Sequence, residues 1–360
     1  MKLNKSVIQG VKSYPSRVIQ FGEGNFLRGF ADWIIDEMNE KIDFNSGITI
    51  VQPRDKGMID ILNAQEGLYN LYLNGIQDKK VVSNRKLITS VNKGLNLYES
   101  YEEFLKLAED ENMRFIISNT TEAGIAINDE DKLEDRPQST YPGKLTSLLY
   151  KRYKTFKGDT KKGFILLPCE LIEKNGEKLK EAVLHFAKLW NLEDDFILWI
   201  ESANTFCNTL VDRIVPGYPA SRIDEITDEL GYEDKLVVDG EIFHLWVIEG
   251  PGFVKEEFPA DKAGLNVVFT EDLTPYRTIK VRILNGAHTT MVPVSYLYGI
   301  DTVRDSVLDE VIGNYIKQAI FEEIAPTLDL DSKEVEKYAE AVLERFENPY
   351  IRHELMSISL

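Results

Sequence analysis

The residues best suited to chemistry lie in one short segment, from Lys280 to His288, which holds a lysine, an asparagine and a histidine. At 100° per residue, a helix would place Lys280, His288 and Asn285 at about 0°, 80° and 140°, within one face. Oxidising a secondary alcohol needs a base for the hydroxyl proton and donors that hold the oxygen as charge develops. Lys280 is a candidate base if burial or nearby cations lower its pKa, and Asn285 and His288 are candidate donors.

The same segment also has a purely structural interpretation. Asn285-Gly286 is a turn signal, so Asn285 could end a helix with Gly286 as the next residue. Lys280 would then be a solvated helix lysine, and His288 would have no role. The residues alone leave both interpretations open.

A glycine-rich turn between a predicted strand and a predicted helix is the second candidate site. Gly22 and Gly24 directly follow the apolar run at 17–21. Such a turn lets backbone approach a pyrophosphate, whose charge is attracted by the free N–H groups at the helix start. Leu27 stands where G-x-G-x-x-G has its third glycine, so a plain strand-to-helix turn explains the pattern equally well.

The second predicted strand, 47–52, bears on which dinucleotide would bind. In Rossmann-type domains this strand ends near an acid that binds the adenosine ribose. Here Asp55 comes a few residues late, and Arg54 could stack on adenine or meet a 2′-phosphate. The sequence therefore favours NAD over NADP without deciding between them.

A polar loop follows another predicted strand, 113–118. Asn119, Thr120 and Thr121 come directly after it, at the edge where open α/β sheets bind ligands. An ordinary helix start, with Asn119 or Thr120 as its N-cap, is the alternative explanation.

Strands and helices alternate through the first half of the chain. Apolar runs predict strands at 17–21, 47–52, 113–118 and 163–168, and helical periodicity predicts helices at 25–41, 100–110 and 141–156. Alternation at 68–91 predicts a hairpin that turns at Asn74-Gly75. Helical patterns dominate 277–298, 302–328 and 332–346.

This order predicts an α/β protein of two domains. Residues 1–225 should form a Rossmann-type, dinucleotide-binding domain with a mostly parallel sheet. Residues 226–360 should form a mostly α-helical, incomplete substrate domain. The boundary is placed from Pro216, Gly217 and Pro219, the only nearby residues of the types that interrupt helices and strands.

Composition excludes several classes of function. The formal net charge of −18 argues against nucleic acid and against a polybasic membrane contact, and an anionic substrate would need a locally positive site. Cys169 and Cys207 predict two reduced thiols, and the N-terminus lacks a signal core, so we expect a cytoplasmic protein. Scattered histidines and the missing H-E-x-x-H pattern predict no metal site.

Five stretches of the sequence together carry a resemblance to a known family. They are Lys280-x-x-x-x-Asn285-x-x-His288, QFGEGNFLR from Gln20 to Arg28, SNTTE from Ser118 to Glu122, PCELIEKNG from Pro168 to Gly176, and VDRIVP from Val211 to Pro216. In content and order they resemble the mannitol dehydrogenase family, the metal-independent long-chain polyol dehydrogenases. The resemblance covers essentially the whole chain.

The resemblance implies a reaction and roles for individual residues. It implies NAD-dependent hydride transfer between nicotinamide and the keto carbon of an open-chain sugar acid, with a neutral polyol as the alternative substrate. Lys280 would be the general acid/base, Asn175 and Asn285 would hold the developing oxyanion, and His288 would orient the reacting oxygen. Asp212 and Arg213 would contact substrate.

The resemblance also implies a proton path through Glu122 and a set of cofactor-binding residues. That set is Phe21, Gly22, Gly24, Asn25, Phe26, Asn119, Thr120 and Thr121.

The end of the chain departs from the family pattern. Asn348-Pro349-Tyr350 predicts a turn that opens another helix, yet the chain stops at Leu360. Family members continue with further helices, so we expect a C-terminally shortened chain. A protein that binds NAD without turnover is therefore the alternative to an active enzyme.

Overall fold

The chain folds into two compact units. The computed structural model describes residues 1–77, 79–120 and 123–359. Unit 1 comprises Met1–Leu71, Lys86–Asp239 and His244–Glu271, and unit 2 comprises Tyr72–Arg85, Gly240–Phe243 and Asp272–Leu360. This division differs from the boundary predicted at residue 225.

The strands are short and lie mostly in unit 1. In chain order they are β1 (Ser16–Phe21), β2 (Gly47–Gln52), β3 (Tyr69–Gln77), β4 (Lys80–Ile88), β5 (Val91–Asn96), β6 (Phe115–Ser118), β7 (Ile165–Pro168), β8 (Thr205–Phe206), β9 (Asn208–Asp212), β10 (Val238–Glu241), β11 (Leu245–Glu249) and β12 (Val267–Thr270).

The helices become dense toward the C-terminus. They are α1 (Asn25–Gly29), α2 (Ala31–Ile42), α3 (Ile59–Ala64), α4 (Tyr101–Lys106), α5 (Tyr141–Phe156), α6 (Asn175–Leu189), α7 (Asp194–Ala203), α8 (Ile223–Leu230), α9 (Phe253–Glu257), α10 (Thr274–Ile279), α11 (Gly286–Tyr298), α12 (Val303–Leu308), α13 (Glu310–Gln318), α14 (Ser332–Phe346) and α15 (Leu355–Ile358).

A parallel sheet in the order β5-β2-β1-β6-β7-β8 is the centre of unit 1. Without β3 and β4, this is the doubly wound order 3-2-1-4-5-6. All six residues of β2 are buried, as expected for a strand covered by helices on both faces. The predicted Rossmann-type domain is confirmed.

Helix α5 shows how local sequence sets the helix ends next to this sheet. Thr140 is its N-cap and accepts a hydrogen bond from the Gly143 N–H at 3.2 Å. Pro142 lies in the first turn, where its missing N–H costs nothing. The helix ends at Phe156, and the next residue, Lys157, adopts the left-handed conformation with φ of 52°.

Three details of the fold differ from the sequence-based prediction. The helix predicted at 25–41 is interrupted at Phe30, where φ is −129° and ψ is −77°. The predicted turn residues Asn74 and Gly75 lie within β3, which continues to Gln77. A sheet in the order β12-β11-β9, whose strands lie between residues 208 and 270, belongs to unit 1 and extends past the boundary predicted at residue 225.

Unit 2 is mostly helical, as predicted. Its core joins α11–α14 through buried apolar side chains, among them Met291, Ile316 and Val342. Asp331 caps α14 by accepting hydrogen bonds from the N–H groups of Lys333 and Glu334. The two stretches of unit 2 that precede Asp272 include parts of the strands in the small sheet β10-β3-β4. Within the described residues, no helix is long and apolar enough to cross a membrane.

Candidate active site

The turn after β1 has the backbone geometry that a dinucleotide requires. Gly22 has a φ of +117°, which L side chains rarely adopt, and an added Cβ would lie 3.1 Å from the carbonyl oxygen of Asn119. The Gly22 N–H donates to the Val51 carbonyl at 3.0 Å, so the turn continues the pairing of β1 with β2. A side chain at Gly22 would therefore fill the space beside the loop after β6.

A cleft of about 480 Å³ opens beside this turn. Its wall contains the predicted residues Gly22, Gly24, Asn119 and Thr120. It also contains Pro53, Arg54 and Lys56 after β2, and Ser139, Thr140, Tyr141 and Lys144 around the start of α5. The cleft thus lies at the carboxyl ends of β1, β2 and β6, where doubly wound sheets bind nucleotides.

Three other predicted cofactor residues have side chains engaged within the protein. Phe21 is fully buried, with its ring 4.8 Å from that of Tyr141. Asn25 accepts a hydrogen bond from Arg28, and Phe26 stacks on Phe30 at 5.1 Å. These contacts favour structural roles for the three side chains. The predicted residues Thr121 and Glu122 lie outside the described residues.

Arg28, which follows the turn, is a buried structural residue. Only 2% of it is exposed, and its Nη1 donates to the Leu236 carbonyl at 2.6 Å. Its Nη2 donates to Asn25 Oδ1 at 2.6 Å, and its Nε donates to the Glu23 carbonyl. From its buried position, the guanidinium therefore holds the backbone around the glycine turn in place.

Glu170 is a site residue that the sequence did not single out. The residue is 2% exposed, and its carboxylate accepts hydrogen bonds from Ser118 Oγ at 3.1 Å and from the N–H and Oγ1 of Thr120, both at 3.0 Å. Burial raises the pKa of this carboxyl, while the hydrogen bonds oppose that rise. Glu170 therefore joins the ends of β6 and β7 beside the cleft.

Asn175 is buried, and backbone groups occupy its amide. Its Nδ2 donates to the carbonyls of Pro168, Glu170 and Thr209 at 2.9 to 3.1 Å. Its Oδ1 accepts from the N–H groups of Gly176 and Thr209. Since an amide has only two donor hydrogens, these contacts favour a role in shaping the loop over the predicted direct contact with an oxyanion.

Asp212 and Arg213 lie at the end of β9, and both are buried. Arg213 Nη1 donates to the Gly29 carbonyl at 2.7 Å, and its guanidinium lies 4.1 Å from the centre of the Trp33 ring. These contacts hold the end of β9 against the break between α1 and α2. They give Arg213 a structural task besides its predicted one at the substrate.

The Lys280–His288 segment in unit 2 begins with a π-helical turn. Residues Lys280–Asn285 form a π-helix, and α11 starts at Gly286. This corrects the assumption of 100° per residue, because a π-helix bonds residue i to i+5. Lys280 and Asn285 are one such step apart. Lys280 and His288 are half-buried, and Asn285 is exposed.

His288 is packed between rings of unit 2. The ring of Phe346 stacks on it at 4.8 Å, and the ring of His353 meets it edge-on at 5.3 Å. Next to Phe346, Arg345 pairs with the buried carboxylate of Glu241 through two hydrogen bonds, of 3.0 and 2.7 Å. Burial, and secondarily the charge of Arg345, lower the pKa of His353. Neighbouring side chains thus limit the orientation of the His288 ring.

A doubly wound parallel sheet with a positive-φ glycine turn and a cleft at its carboxyl edge defines a dinucleotide-binding protein of the Rossmann class. Comparison with known families makes this specific. Residues 16–262 match the mannitol dehydrogenase Rossmann domain, and residues 272–360 match the mannitol dehydrogenase C-terminal domain. The chain belongs to the mannitol dehydrogenase family.

Individual relatives support the same assignment. The chain is 56% identical to the altronate oxidoreductase of Bacillus subtilis, covering 100% of this chain and 74% of the relative. It is 54% identical to the altronate oxidoreductase of Bacteroides thetaiotaomicron, covering 99% and 74%. The Escherichia coli O6:K15:H31 altronate oxidoreductase is 48% identical, again over 99% and 74%.

Solved structures show the same fold at lower identity. The Pseudomonas fluorescens mannitol 2-dehydrogenase, in a ternary complex with NAD and D-mannitol, matches with a TM-score of 0.80 at 24% identity, over 99% of this chain and 76% of that one. A substrate-free D-sorbitol dehydrogenase matches with a TM-score of 0.84 at 24% identity, over 100% and 77%.

Proposed function

We propose that this chain is an altronate oxidoreductase, which uses NADH to reduce tagaturonate to altronate and NAD to run the reverse reaction. The observation that carries the proposal is the Lys280, Asn285 and His288 group on one helical segment of a chain with a Rossmann-type unit. Relatives that share 48–56% identity bear this name.

The cleft of unit 1 fits a dinucleotide. Gly22 leaves the space that a Cβ would fill next to Asn119, so backbone can approach a pyrophosphate. Arg54 and Lys56 place positive charge at the cleft of a chain whose net charge is −18. We therefore assign Gly22, Gly24, Asn119 and Thr120 to binding NAD.

The residues of the π-helical segment handle the proton. Bound NADH supplies the hydride that goes to the keto carbon. Lys280, as an ammonium, donates its proton to the carbonyl oxygen, which completes the alcohol. Asn285 donates a hydrogen bond to the same oxygen as negative charge develops, and His288 orients it. In alcohol oxidation Lys280 must start neutral, so that rate should fall as the pH falls through its pKa.

Fructuronate and a neutral polyol such as mannitol are alternative substrates of the same chemistry. They differ from tagaturonate or altronate in stereochemistry or in the carboxylate, which pocket shape and charge distinguish. NAD binding without turnover is the remaining alternative. All four possibilities give different results in a single assay.

The test is to follow NADH absorbance after adding tagaturonate, fructuronate or fructose to the purified chain. We expect kcat/KM to be highest for tagaturonate. Lys280→Ala should abolish turnover while leaving the Kd for NADH unchanged, and Lys317→Ala, at an exposed lysine of the same unit, is the matched control. A higher kcat/KM for fructuronate or fructose would overturn the substrate assignment. NADH binding without any turnover would overturn the activity.

We also propose that the enzyme works in the reducing environment of the cytoplasm. Cys169 and Cys207 are both buried free thiols. Burial raises the pKa of Cys207 to about 12, which keeps this thiol protonated and unreactive. Such thiols suit a compartment in which disulfides do not form.

A further inference from the structure

Lys144 is a buried lysine in the wall of the cofactor cleft. It lies in the first turns of α5, and only 1% of the residue is exposed. Its Nζ donates to the Ser139 carbonyl at 3.0 Å. Ser139 lines the same cleft, so the ammonium group is held at the cleft wall.

This position is unfavourable for a cation in the protein alone. The start of a helix carries partial positive charge, which repels an ammonium group, and burial removes the water that would solvate it. Asp131 supplies the opposing charge, but its carboxylate also accepts from the N–H groups of Ser139 and Thr140 and from the Thr140 hydroxyl. Burial outweighs the attraction of Asp131 and lowers the pKa of Lys144 to about 8.

The other charged groups of the cleft wall also suit an anion. Arg54 and Lys56 are exposed and cationic. Among the described residues of the wall, Glu23 is the one acid, and burial raises the pKa of its carboxyl, with Arg54 and Arg28 acting in the opposite direction. The described residues of the wall would therefore present mainly positive charge to an anionic group, and such a group would stabilise the ammonium form of Lys144.

We propose that Lys144 is a cofactor-binding residue whose ammonium group pairs with the pyrophosphate of the dinucleotide. The proposal rests on the proposed NAD dependence. Pairing requires the charged form, so a neutral Lys144 takes up one proton from solvent as the dinucleotide binds. No other bond forms or breaks. Affinity for NADH should consequently weaken as the pH rises above the pKa of Lys144 in the free protein.

The experiment measures the Kd for NADH by fluorescence titration between pH 6.5 and 9.5, values chosen as roughly 1.5 units on either side of that pKa. For the unmodified chain we expect a plateau below pH 8 and a Kd that rises up to about tenfold per pH unit above it. Lys144→Met should weaken binding about tenfold or more at pH 7 and remove this dependence. Lys144→Arg stays charged throughout, so it should bind well at high pH.

Lys151→Met is the matched control, because Lys151 lies on the same helix and pairs with Glu109 away from the cleft. It should leave both the Kd and its pH dependence unchanged. ADP-ribose, which contains the pyrophosphate but lacks nicotinamide, should show the same pH step as NADH. Circular dichroism of each variant establishes that α5 and its surroundings remain folded.

Three outcomes would overturn the proposal. The first is a Lys144→Met variant that binds NADH with the original Kd and pH dependence, which would make Lys144 a structural residue of the α5 start. The second is an unchanged Kd for NADH with a raised KM for tagaturonate, which would assign Lys144 to the substrate carboxylate. The third is a Lys144→Arg variant that loses binding like Lys144→Met. Failure of the unmodified chain to bind NADH would instead contradict the proposed function.

Discussion

Two asparagines with the same predicted role, Asn175 in unit 1 and Asn285 in unit 2, lie in opposite environments. Asn175 is 1% exposed, and its amide makes five hydrogen bonds to backbone groups. Asn285 ends a π-helical turn and is exposed. One amide is committed to holding loops in place, and the other is accessible to a ligand.

The difference extends to the rest of each region. Around the glycine turn, Arg28 and Glu170 are buried, and they form hydrogen bonds with backbone groups and neighbouring side chains. The Lys280–His288 segment keeps its polar side chains half-buried or exposed. Around the glycine turn, unit 1 thus uses buried polar groups to hold the backbone in place, whereas the Lys280–His288 segment of unit 2 leaves its polar side chains accessible.

The largest effect should come from a substitution in the accessible Lys280–His288 segment. Lys280→Ala removes the proposed proton donor, so we expect kcat for tagaturonate reduction to fall about 10²- to 10⁴-fold. Unfolding midpoints should remain close to those of the unmodified chain, because Lys280 is half-buried at a helix surface. Steady-state kinetics at several pH values make the measurement. A near-normal kcat at neutral pH would remove Lys280 from the acid/base role.

The two asparagines allow a direct test of the comparison. Asn175→Ala leaves buried backbone groups without partners, so the free energy of unfolding should drop by about 2–4 kcal/mol. Asn285→Ala should change stability by less than about 0.5 kcal/mol but lower kcat. Denaturant titrations and kinetics on both variants provide the data. If Asn175→Ala proves as stable as the unmodified chain and merely slow, then Asn175 acts on the substrate after all.

Gly22→Ala tests the backbone of the glycine turn itself. Its φ of +117° and the approach of its new Cβ to within 3.1 Å of the Asn119 carbonyl should cost about 1–3 kcal/mol of stability and weaken NADH binding. Gly24→Ala is the matched control for stability, because its φ is −64° and no atom lies within 4 Å of its added Cβ. Equal destabilisation by the two substitutions would contradict this explanation.

Asp32 predicts a smaller, pH-dependent effect within unit 1. Its carboxyl is buried, accepts a hydrogen bond from the Tyr69 hydroxyl at 2.7 Å, and has its pKa raised to about 7 by burial. The folded state therefore binds more protons than the unfolded state between about pH 4 and 7, so stability should decrease as the pH rises through that window.

Asp32→Asn should remove this slope, which is at most about 1.4 kcal/mol per pH unit. The free energy of unfolding of the variant, compared with that of the unmodified chain, should therefore be higher at pH 8 than at pH 5. Thermal unfolding at several pH values is the measurement, with Asp60→Asn, at an exposed position, as the control. Parallel pH profiles for Asp32→Asn and the unmodified chain would show that Asp32 is charged throughout.

Much of the fold was predictable because the central strands are continuous apolar runs. The predictions at 17–21 and 47–52 match β1 and β2 within one residue, since strands covered on both faces leave a clear composition signal. The sheet formed by β9, β11 and β12 was missed. Its members have four or five residues, too few to show a period.

The candidate site was predictable in its residue types but not in its geometry. The glycine turn and the Lys280–His288 segment follow from spacing and from family resemblance. Residue types do not distinguish the π-helical turn at Lys280–Asn285 from an α-helix, because the two differ only in hydrogen-bond register. Glu170 and Lys144 escaped notice because their burial depends on tertiary packing, such as the contact of Glu170 with Ser118, 52 residues away.

Unit 2 draws on three separate stretches of chain, and this has a consequence for synthesis and dissection. Residues 72–85 are synthesised long before the helices after Asp272, so the unit cannot close until those helices have been made. A fragment covering only 272–360 would lack Glu241. The guanidinium of Arg345 would then be buried without its carboxylate, at a cost of roughly 3–5 kcal/mol, so the helices should not fold well alone.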